Sequence, residues 1–361
     1  MILGHSISSI RPLSQASRRW SAIAPQSVQQ FKRYACQIHH PTKLGQLRAK
    51  LRGFGQGHVE LDLNHSPGLA LLTLSNPEKH NALTGKMMAE LADCIDFLEE
   101  AVTKPTLPVL SSESALILKN GGTTLKTLEP EHRQILEGLV GIIVTGAEQK
   151  SYCAGLDLSA AKTTLLTPQA GSEMAALMVS TLTRFLRLPL ITIAAIEKAA
   201  IGGGAEMTTW CDHRCIADQA KVQFVQTQMG VVPGWGGASR LLNIVPRSTA
   251  LRLLGAAEPI HGGQQALQLG FAQLTSPKGG AVASATEYMQ SYVWEKRPDQ
   301  NLSGGARRYV PAVRAMKKIV SVGMDHDNIE RVSELEKDLF KQLWGSPDNL
   351  TRVEAASSKK K

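Results

Sequence analysis

The most informative segment of this chain is Ile201-Gly202-Gly203-Gly204-Ala205-Glu206. It follows the apolar residues 190–196 and precedes a helix-compatible segment that begins at Met207. A strand that leads into three glycines and then a helix presents backbone N–H groups at the helix N-terminus, where the helix dipole favours negative charge. The pattern therefore predicts an α/β unit with a place for a developing negative charge on oxygen, an oxyanion hole.

A second glycine-containing segment lies upstream of this one. The apolar residues 141–146, which read GIIVTG, are followed by YCAGLDL at residues 152–158. Two strand ends that each offer a backbone N–H could bind one carbonyl oxygen from two sides. Each segment is a weak signal by itself, but the pair predicts a two-part oxyanion hole.

Composition is that of an ordinary globular protein. The 361 residues suffice for one large domain or two small ones, and 43% hydrophobic residues suffice for a core. No run of eighteen apolar residues occurs, so we expect no membrane span and no membrane partner. Nine of the 40 basic residues precede Glu60, the first acidic residue, and the other 31 equal the 31 acidic residues in number. The body of the chain is therefore neutral, which argues against a nucleic-acid partner.

The excess positive charge lies in residues 1–57, which contain many Arg and Ser residues but no acidic one. With scattered apolar residues such as Ile10 and Trp20, this composition is typical of a mitochondrial transit peptide. A disordered basic arm is the alternative. The first interpretation predicts a protein of the mitochondrial matrix, and the second is compatible with the cytosol.

The cysteines argue against a disulfide framework and against a metal site. Their number is odd and their spacing is wide, as expected for reduced thiols in a matrix or cytosol. The pair that flanks Asp212 and His213 has no second ligand pair at zinc spacing, so we expect structural cysteines and no metal ion. The five cysteines are Cys36, Cys94, Cys153, Cys211 and Cys215.

Alternating strand and helix patterns predict an α/β domain with right-handed crossover connections. The apolar runs predict strands at residues 69–74, 141–145 and 190–196. Apolar residues at helical spacing predict amphipathic helices at residues 84–102 and 174–186.

The chain after the leader divides into a core and a helical C-terminal region. We place the core at residues 58–275, with an irregular insertion at 103–137 where Pro and Gly residues interrupt any periodicity. Residues 276–350 are predicted to be helical, and 351–361 to form a polar tail. A C-terminal apolar stripe could pack on its own domain or on another subunit. It consists of Ile329, Val332, Leu335, Leu339, Phe340 and Leu343.

Four segments together resemble the crotonase (enoyl-CoA hydratase/isomerase) superfamily in content, order and separation. The resemblance extends over residues 68–350 and implies an α/β fold, a crotonase-like spiral of ββα turns followed by a C-terminal helical region. The segments are NPEKHNAL at 76–83, YCAGLD at 152–157, GGGAE at 202–206 and GVVPGWGG at 230–237.

The resemblance implies an acyl-CoA thioester as substrate, with coenzyme A as part of that substrate and no further cofactor. It also implies homotrimers or homohexamers. The backbone N–H groups of Leu156 and Gly203 would form the oxyanion hole. For Asp157 we prefer a structural role, as the cap of the following helical turn. The substrate-binding set along the coenzyme A arm would be Lys79, Ala154, Asp157, Leu158 and Gly202.

Hydration of an enoyl-CoA requires two carboxylates, which manage the attacking water and the proton delivered to the α-carbon. Glu206 matches the position of the first carboxylate in hydratases. The second should follow Phe224 shortly, but the chain reads VQTQMG at 225–230 and contains Gln228. Because a glutamine cannot accept a proton at neutral pH, ordinary hydratase activity is disfavoured.

Loss of CO₂ from a substrate carboxylate demands less of the side chains. The electron pair flows into the thioester carbonyl, so the step needs an oxyanion hole and a pocket that disfavours the solvated carboxylate. Trp235 would be an apolar wall of that pocket, although it could instead be a packed turn residue. Glu206, or a water held by Gln228, would protonate the enolate. Glu206 could instead only satisfy the helix dipole.

Three further stretches resemble the branch of the superfamily that decarboxylates short branched carboxyacyl-CoA thioesters. The resemblance implies ethylmalonyl-CoA, and with it methylmalonyl-CoA, as substrate, and a role in metabolite repair. That branch is cytosolic, so the basic leader departs from it. The alternatives are an enoyl-CoA hydratase, isomerase or acyl-CoA hydrolase of the same fold, and a non-catalytic RNA-binding protein. The stretches lie at 181–190, 235–237 and 344–350.

Overall fold

The computed structural model describes residues 41–103, 117–118, 130–149, 151–162, 167–295, 305–323 and 329–358. The helices are α1 Pro41–Arg52, α2 Gly85–Thr103, α3 Pro130–Gly138, α4 Leu158–Ala161, α5 Pro168–Arg187, α6 Gly203–Thr208, α7 Gly237–Leu241, α8 Arg247–Gly255, α9 Gly262–Gln268, α10 Ala281–Val293, α11 Val310–Gly323, α12 Ile329–Leu343 and α13 Pro347–Ser358. The strands are β1 His58–Ser66, β2 Leu69–Ser75, β3 Ile117–Leu118, β4 Gly141–Gly146, β5 Ile191–Ile196, β6 Ala199–Ile201, β7 His213–Ala217, β8 Lys221–Gln223, β9 Ile260–His261 and β10 Leu274–Ser276.

Within the described ranges, seven strands form the main sheet in the order β10-β7-β5-β4-β2-β1-β3. All neighbours are parallel except β1 and β2. Every residue of β4 and β5 is buried, as expected for central parallel strands covered on both faces. The short strands β6, β8 and β9 form a second sheet. The predicted α/β class is therefore confirmed.

Alternate residues of the central strands face two separate apolar layers. Leu72 and Val144 lie in the larger cluster, which contains side chains of α2 and α5. Leu71 and Ile143 point to the opposite side, where they pack with side chains of α10 such as Met289. This period of two follows from the alternation of Cβ directions along a strand. It explains why residues 69–72 of β2 and 141–144 of β4 carry no polar side chain.

Helix α5 begins earlier than the apolar periodicity alone predicts. Thr167 caps it, because the Thr167 hydroxyl accepts a hydrogen bond from the N–H of Ala170 at 3.2 Å. Pro168 follows at the first helical position, where a missing N–H costs nothing. The helix therefore includes a first turn in which Ala170 is the buried apolar residue.

The predicted insertion at 103–137 contains more regular structure than we expect from its sequence. Helix α3 occupies its end, and Leu136 of α3 is buried in the larger cluster. The two residues of β3 pair with β1 at the sheet edge. The rest of the insertion, 104–116 and 119–129, lies outside the described residues.

The end of the predicted basic leader also differs from expectation, because α1 is part of the folded body. Arg48 and Arg52 of α1 form ion pairs with Asp93 of α2. Two of the nine leader cations are therefore matched by carboxylates of the core. Residues 1–40 lie outside the described part of the chain.

The C-terminal region is helical, as predicted. Helix α11 is joined to the core by a buried ion pair between Lys317 and Asp212, at 2.5 Å. On α12, the Phe340 ring stacks on Trp344 with centroids 5.1 Å apart, and both side chains are exposed. Among the helices described, none is both long and apolar enough to cross a membrane.

Candidate active site

The two glycine-rich segments lie side by side at the exits of β4 and β6. Cys153 and Ala200 form a parallel bridge, and the Ile201 N–H donates to the Cys153 carbonyl at 2.9 Å. A Cβ atom on Gly155 would lie 3.1 Å from the Gly203 nitrogen and 2.8 Å from the Ile201 carbonyl oxygen. Only glycine permits this approach, which brings the two predicted halves of the oxyanion hole together.

The direction of the Leu156 N–H follows from its neighbours. The Leu83 N–H donates to the Gly155 carbonyl at 2.7 Å, and the Asp157 N–H donates to the Leu83 carbonyl at 2.9 Å. In such a parallel bridge, the residue between these two bonds directs its own N–H away from the paired strand. No acceptor for the Leu156 N–H is found among the described residues.

The Gly203 N–H lies at the first position of α6. Gly202 precedes it with a positive φ of 55°. The Gly202 N–H donates to the Gln223 carbonyl at 2.8 Å. The Glu206 N–H closes the first turn onto the Gly202 carbonyl at 3.0 Å. The Gly203 N–H has no partner in the part of the chain that the structure describes. Two adjacent main-chain N–H groups thus lack an acceptor among the described residues.

Glu206 is buried, and both of its oxygens accept hydrogen bonds from the protein. Oε2 accepts from the N–H groups of Trp235 and Gly237 at 2.8 and 3.0 Å, and Oε1 accepts from Gln226 Nε2 at 2.8 Å. Burial raises the pKa of Glu206, and these donors partly offset that effect. The carboxylate therefore fixes the turn that contains Trp235.

The Trp235 indole is buried against the oxyanion segment. A Cβ atom on Gly203 would collide with the six-membered ring of Trp235. The Trp235 carbonyl accepts a hydrogen bond from Trp210 Nε1 at 2.9 Å, so the turn is held on both sides. The indole is thus a packed turn residue whose six-membered ring lies against Gly203.

Gln226, which the sequence did not single out, is the glutamine that contacts Glu206. Gln226 is buried, whereas Gln228 is exposed. The backbone N–H of Gln228 donates to the Val225 carbonyl at 3.0 Å. The structure therefore does not bring Gln228 to Glu206. The short helical turn at Gln226–Met229 decides this, because it directs alternate side chains to different surroundings. Only the periodicity of that turn could have indicated the difference.

The predicted coenzyme A residues cluster around the Leu156 segment. The Ala154 N–H donates to the carbonyl of His80, which follows Lys79, at 3.1 Å. Asp157 caps α4 by accepting from the N–H groups of Ser159 and Ala160. Although burial opposes it, these bonds together with the nearby Lys79 charge lower the pKa of Asp157. Half of the Leu158 side chain is exposed at this edge.

Asn81 organises the loop in front of this cluster, a role that the sequence did not suggest. It is fully buried with a positive φ of 58°, which asparagine tolerates better than most residues. Its amide donates to the Ser151 and Ala147 carbonyls at 2.8 and 3.0 Å, and its oxygen accepts from the Asn76 N–H. The loop at 76–83 is thereby tied to the exit of β4.

The Cys211–Cys215 segment has a structural role. Asp212 accepts from the Thr192 N–H and hydroxyl and pairs with Lys317, so its oxygens are used within the protein. Burial raises the pKa of Cys153 and Cys211 to about 12, which keeps these thiols protonated and unreactive. The described residues contain no group of His, Cys, Asp and Glu suited to a metal ion.

Sequence comparison shows the family to which the chain belongs. The family model described as Enoyl-CoA hydratase/isomerase matches residues 136–349. The chain belongs to this family, the crotonase superfamily.

Within the family, the chain is similar to proteins named ethylmalonyl-CoA decarboxylase. The protein of Xenopus laevis is 34% identical over 313 residues, which cover 86% of this chain and 87% of the relative. The protein of Danio rerio is 34% identical over 319 residues, which cover 87% and 88% of the two chains. The predicted resemblance, to a decarboxylase of the crotonase superfamily, is confirmed.

Solved structures agree on the fold. An enoyl-CoA hydratase from Bacillus anthracis superposes with a TM-score of 0.63 at 21% identity, over 83% of this chain and 96% of the other. An enoyl-CoA hydratase from Polaromonas sp. JS666 gives a TM-score of 0.63 at 20% identity, over 84% and 98%. The predicted crotonase-like fold is confirmed.

Proposed function

We propose that this chain decarboxylates short branched carboxyacyl-CoA thioesters, ethylmalonyl-CoA first and methylmalonyl-CoA second. The observation that carries the proposal is the pair of adjacent N–H groups of Leu156 and Gly203, for which the described residues provide no acceptor. The similarity to proteins named ethylmalonyl-CoA decarboxylase supports the choice of substrate.

The proposed reaction breaks the bond between the substrate carboxylate carbon and the α-carbon. Its electron pair moves into the thioester carbonyl, CO₂ departs, and an enolate remains whose oxygen accepts from the Leu156 and Gly203 N–H groups. A proton then adds to the α-carbon, which gives the shorter acyl-CoA. Preorganised donors act on charge that develops in the transition state, and one such donor is worth about 2.7 to 4 kcal/mol.

In this mechanism the side chains around the two N–H groups exclude water and position the turn, and they transfer no proton. The Trp235 indole excludes water beside Gly203, which disfavours the solvated carboxylate of the substrate. Glu206 is a positioning residue, because three protein donors hold it against the Trp235 turn. We assign the protonation of the enolate to water.

Hydratase activity fits this site less well. It requires a second carboxylate near Glu206. The side chain that contacts the other Glu206 oxygen is the amide of Gln226, and Gln228 is exposed. Neither glutamine can act as a base at neutral pH.

The substrate panel is the direct test. Incubation of the full chain with ethylmalonyl-CoA should release CO₂ and yield butyryl-CoA, and methylmalonyl-CoA should yield propionyl-CoA, both measured by mass spectrometry. Crotonyl-CoA is the matched thioester without a carboxylate, and it should remain unhydrated. Intact carboxyacyl-CoA after prolonged incubation would overturn the proposal, and conversion of crotonyl-CoA alone would favour a hydratase.

We also propose a cellular role and a cellular location for this activity. Removal of carboxylated by-products of acyl-CoA carboxylases, a form of metabolite repair, would use this activity. The acid-free leader supports import into the mitochondrial matrix. A fluorescent protein fused to residues 1–57 should enter mitochondria, and a diffuse cytosolic signal would contradict the import.

We also propose a homo-oligomer, a trimer or a pair of trimers. The exposed aromatic pair of Phe340 and Trp344 supports it, because exposed apolar patches commonly mark protein contacts.

A further inference from the structure

Helix α1 and residues 53–57 lie beneath the Leu156 half of the proposed oxyanion hole. We infer that this N-terminal segment positions the Leu156 N–H, a role that rests on the proposed function. The segment belongs to the predicted leader by composition, but its contacts are those of a catalytic domain. Three kinds of contact carry the inference: ion pairs, a shared apolar cluster and hydrogen bonds to Thr84 and Lys86, which follow Leu83.

Ion pairs attach α1 to α2. Arg48 Nη1 lies 3.0 Å from Asp93 Oδ1 and 2.5 Å from Asp96 Oδ2, and Arg52 Nη2 lies 2.7 Å from Asp93 Oδ2. The Asp93 side chain is only 2% exposed. Asp96 is shared with Arg184 of α5, so these ion pairs join three helices. A buried carboxylate with two guanidinium partners needs both helices in place.

The apolar side of α1 enters a small cluster that reaches the site. Leu51 is 3% exposed and packs with Ala92 of α2, Ala161 of α4 and Leu177 of α5. Leu156 packs against the same cluster. The side chain of the residue whose N–H we assign to the oxyanion hole therefore rests on a layer that α1 completes.

Residues 53–57 form hydrogen bonds with the residues that follow Leu83. The Lys86 N–H donates to the Phe54 carbonyl at 2.9 Å, and the Thr84 hydroxyl donates to the Gln56 carbonyl at 2.8 Å. At Gly55, whose φ is +85°, a Cβ atom would lie 2.5 Å from Thr84 Cβ, so only glycine permits this contact. Leu83 itself holds both neighbours of Leu156. The N-terminal segment thus fixes the residues after Leu83, and Leu83 in turn orients the Leu156 N–H.

The contacts of this N-terminal segment limit where a protease can cut the leader. A protease that removes the leader and leaves this segment intact has to cut before Arg48, because a cut within residues 48–57 would delete the ion pairs or the contacts to Thr84 and Lys86. The positioning segment thereby sets a limit on processing that the composition of residues 1–57 does not reveal.

The experiment uses the full chain with Arg48→Ala and Arg52→Ala together. We expect faster hydrogen exchange in the peptide 152–158 than in the unaltered chain. Because a displacement of about 1 Å can cost roughly 100-fold in rate, kcat for ethylmalonyl-CoA should fall by about 10-fold to 100-fold. KM should change less than kcat, because a misplaced N–H weakens binding of the transition state more than binding of the substrate. Lys43→Ala, an exposed change on the same helix, is the matched control and should leave both measurements unchanged.

Two further variants separate positioning from general stability. Arg48→Lys with Arg52→Lys keeps the charges and should restore most of kcat. Leu51→Ala leaves the ion pairs intact and should also accelerate hydrogen exchange at 152–158. This variant tests the positioning role if the double alanine variant does not fold. A folded variant with unchanged exchange and unchanged kcat would overturn the inference. If the unaltered chain decarboxylates nothing, the proposed function fails, and the exchange measurement alone still decides the inference.

Discussion

Glu206 is a residue on which two effects act in opposite directions. Burial raises its pKa, while the N–H groups of Gly237 and Trp235 and the amide of Gln226 favour its charged form. The Gln226 Oε1 is buried and has no partner among the described residues. A half-turn of that amide would therefore let Gln226 accept a hydrogen bond from a protonated or amidated residue 206.

Glu206→Gln should keep most of the decarboxylase activity, because the new oxygen can accept from Trp235 and Gly237 while Gln226 reverses its amide. Glu206→Ala should lower kcat by at least about 10-fold, since two buried N–H groups lose their acceptor and the turn loosens. Steady-state kinetics on both variants measures this. Complete loss of activity in Glu206→Gln would instead identify Glu206 as the proton donor.

The raised pKa of Glu206 also predicts a pH dependence of stability. The folded state holds this proton more tightly than the unfolded chain, so the contribution is fully present below the unfolded pKa of about 4.3 and is lost as pH rises through the folded pKa. Each unit of elevation corresponds to about 1.4 kcal/mol. Relative to Glu206→Gln, the unaltered protein should lose free energy of unfolding in urea titrations as the pH rises from about 4.3 through the higher folded pKa. A constant difference across this range would contradict the assignment.

Gly203 allows the loss of an N–H to be separated from a steric change. Gly203→Ala and Gly203→Pro both place a Cβ atom against the Trp235 ring, but only the proline removes the N–H. Proline is tolerated at a first helical position. Relative to Gly203→Ala, Gly203→Pro should lower kcat by a further factor of about 100 to 1000. Equal rates in the two variants would remove Gly203 from the proposed oxyanion hole.

At the scale of elements, the site depends on the approach of the β4 exit to the start of α6. Neither element contains a reacting side chain in the proposed mechanism. Together they set the distance between two main-chain segments, and the bridge between Cys153 and Ala200 fixes that distance. Changes that separate the segments should therefore affect turnover more than substrate binding.

Gly155→Ala tests this separation. The new Cβ would lie 2.8 Å from the Ile201 carbonyl oxygen and would sit on a φ of +92°, so the segments have to move apart. We expect a fall in kcat of about 100-fold with a smaller change in KM. Gly255→Ala on α8 is the matched control, because nothing lies within 4 Å of its Cβ position. Equal kinetics for both variants would argue against the predicted geometry.

At the scale of the whole molecule, charge and apolar surface are distributed unequally. Arg48 and Arg52 of the basic helix α1 pair with Asp93 of α2, whereas the C-terminal helices leave Phe340 and Trp344 exposed at 59% and 65%. An exposed aromatic pair of this kind favours association. It is the feature of the described surface on which we base the proposed oligomer.

Phe340→Glu with Trp344→Glu should shift the proposed homo-oligomer toward the monomer, because two charges replace apolar contact area. Size-exclusion chromatography with light scattering measures the mass. Lys337→Glu, an exposed change on the same helix, is the control and should leave the mass unchanged. A monomeric unaltered chain at micromolar concentration would contradict the oligomer itself.

Much of the fold and half of the site could be predicted from local pattern. The apolar runs of β2, β4 and β5 and the face of α2 reflect burial with a period set by the backbone. Glycines at Gly155 and Gly203 indicate close approach of main chains, and Asp157 precedes its helix as a cap residue does. These signals are local because each depends on neighbours within a few positions.

Other features depended on packing between distant segments, and no local pattern contains them. Gln226 rather than Gln228 meets Glu206 because a short helical turn orients it across 20 positions of sequence. Helix α1 joins the core because Arg48 and Arg52 find Asp93 more than 40 positions away, although its composition matches a leader. Composition and periodicity report how a segment relates to water, whereas partners across the sequence exist only once the chain has folded.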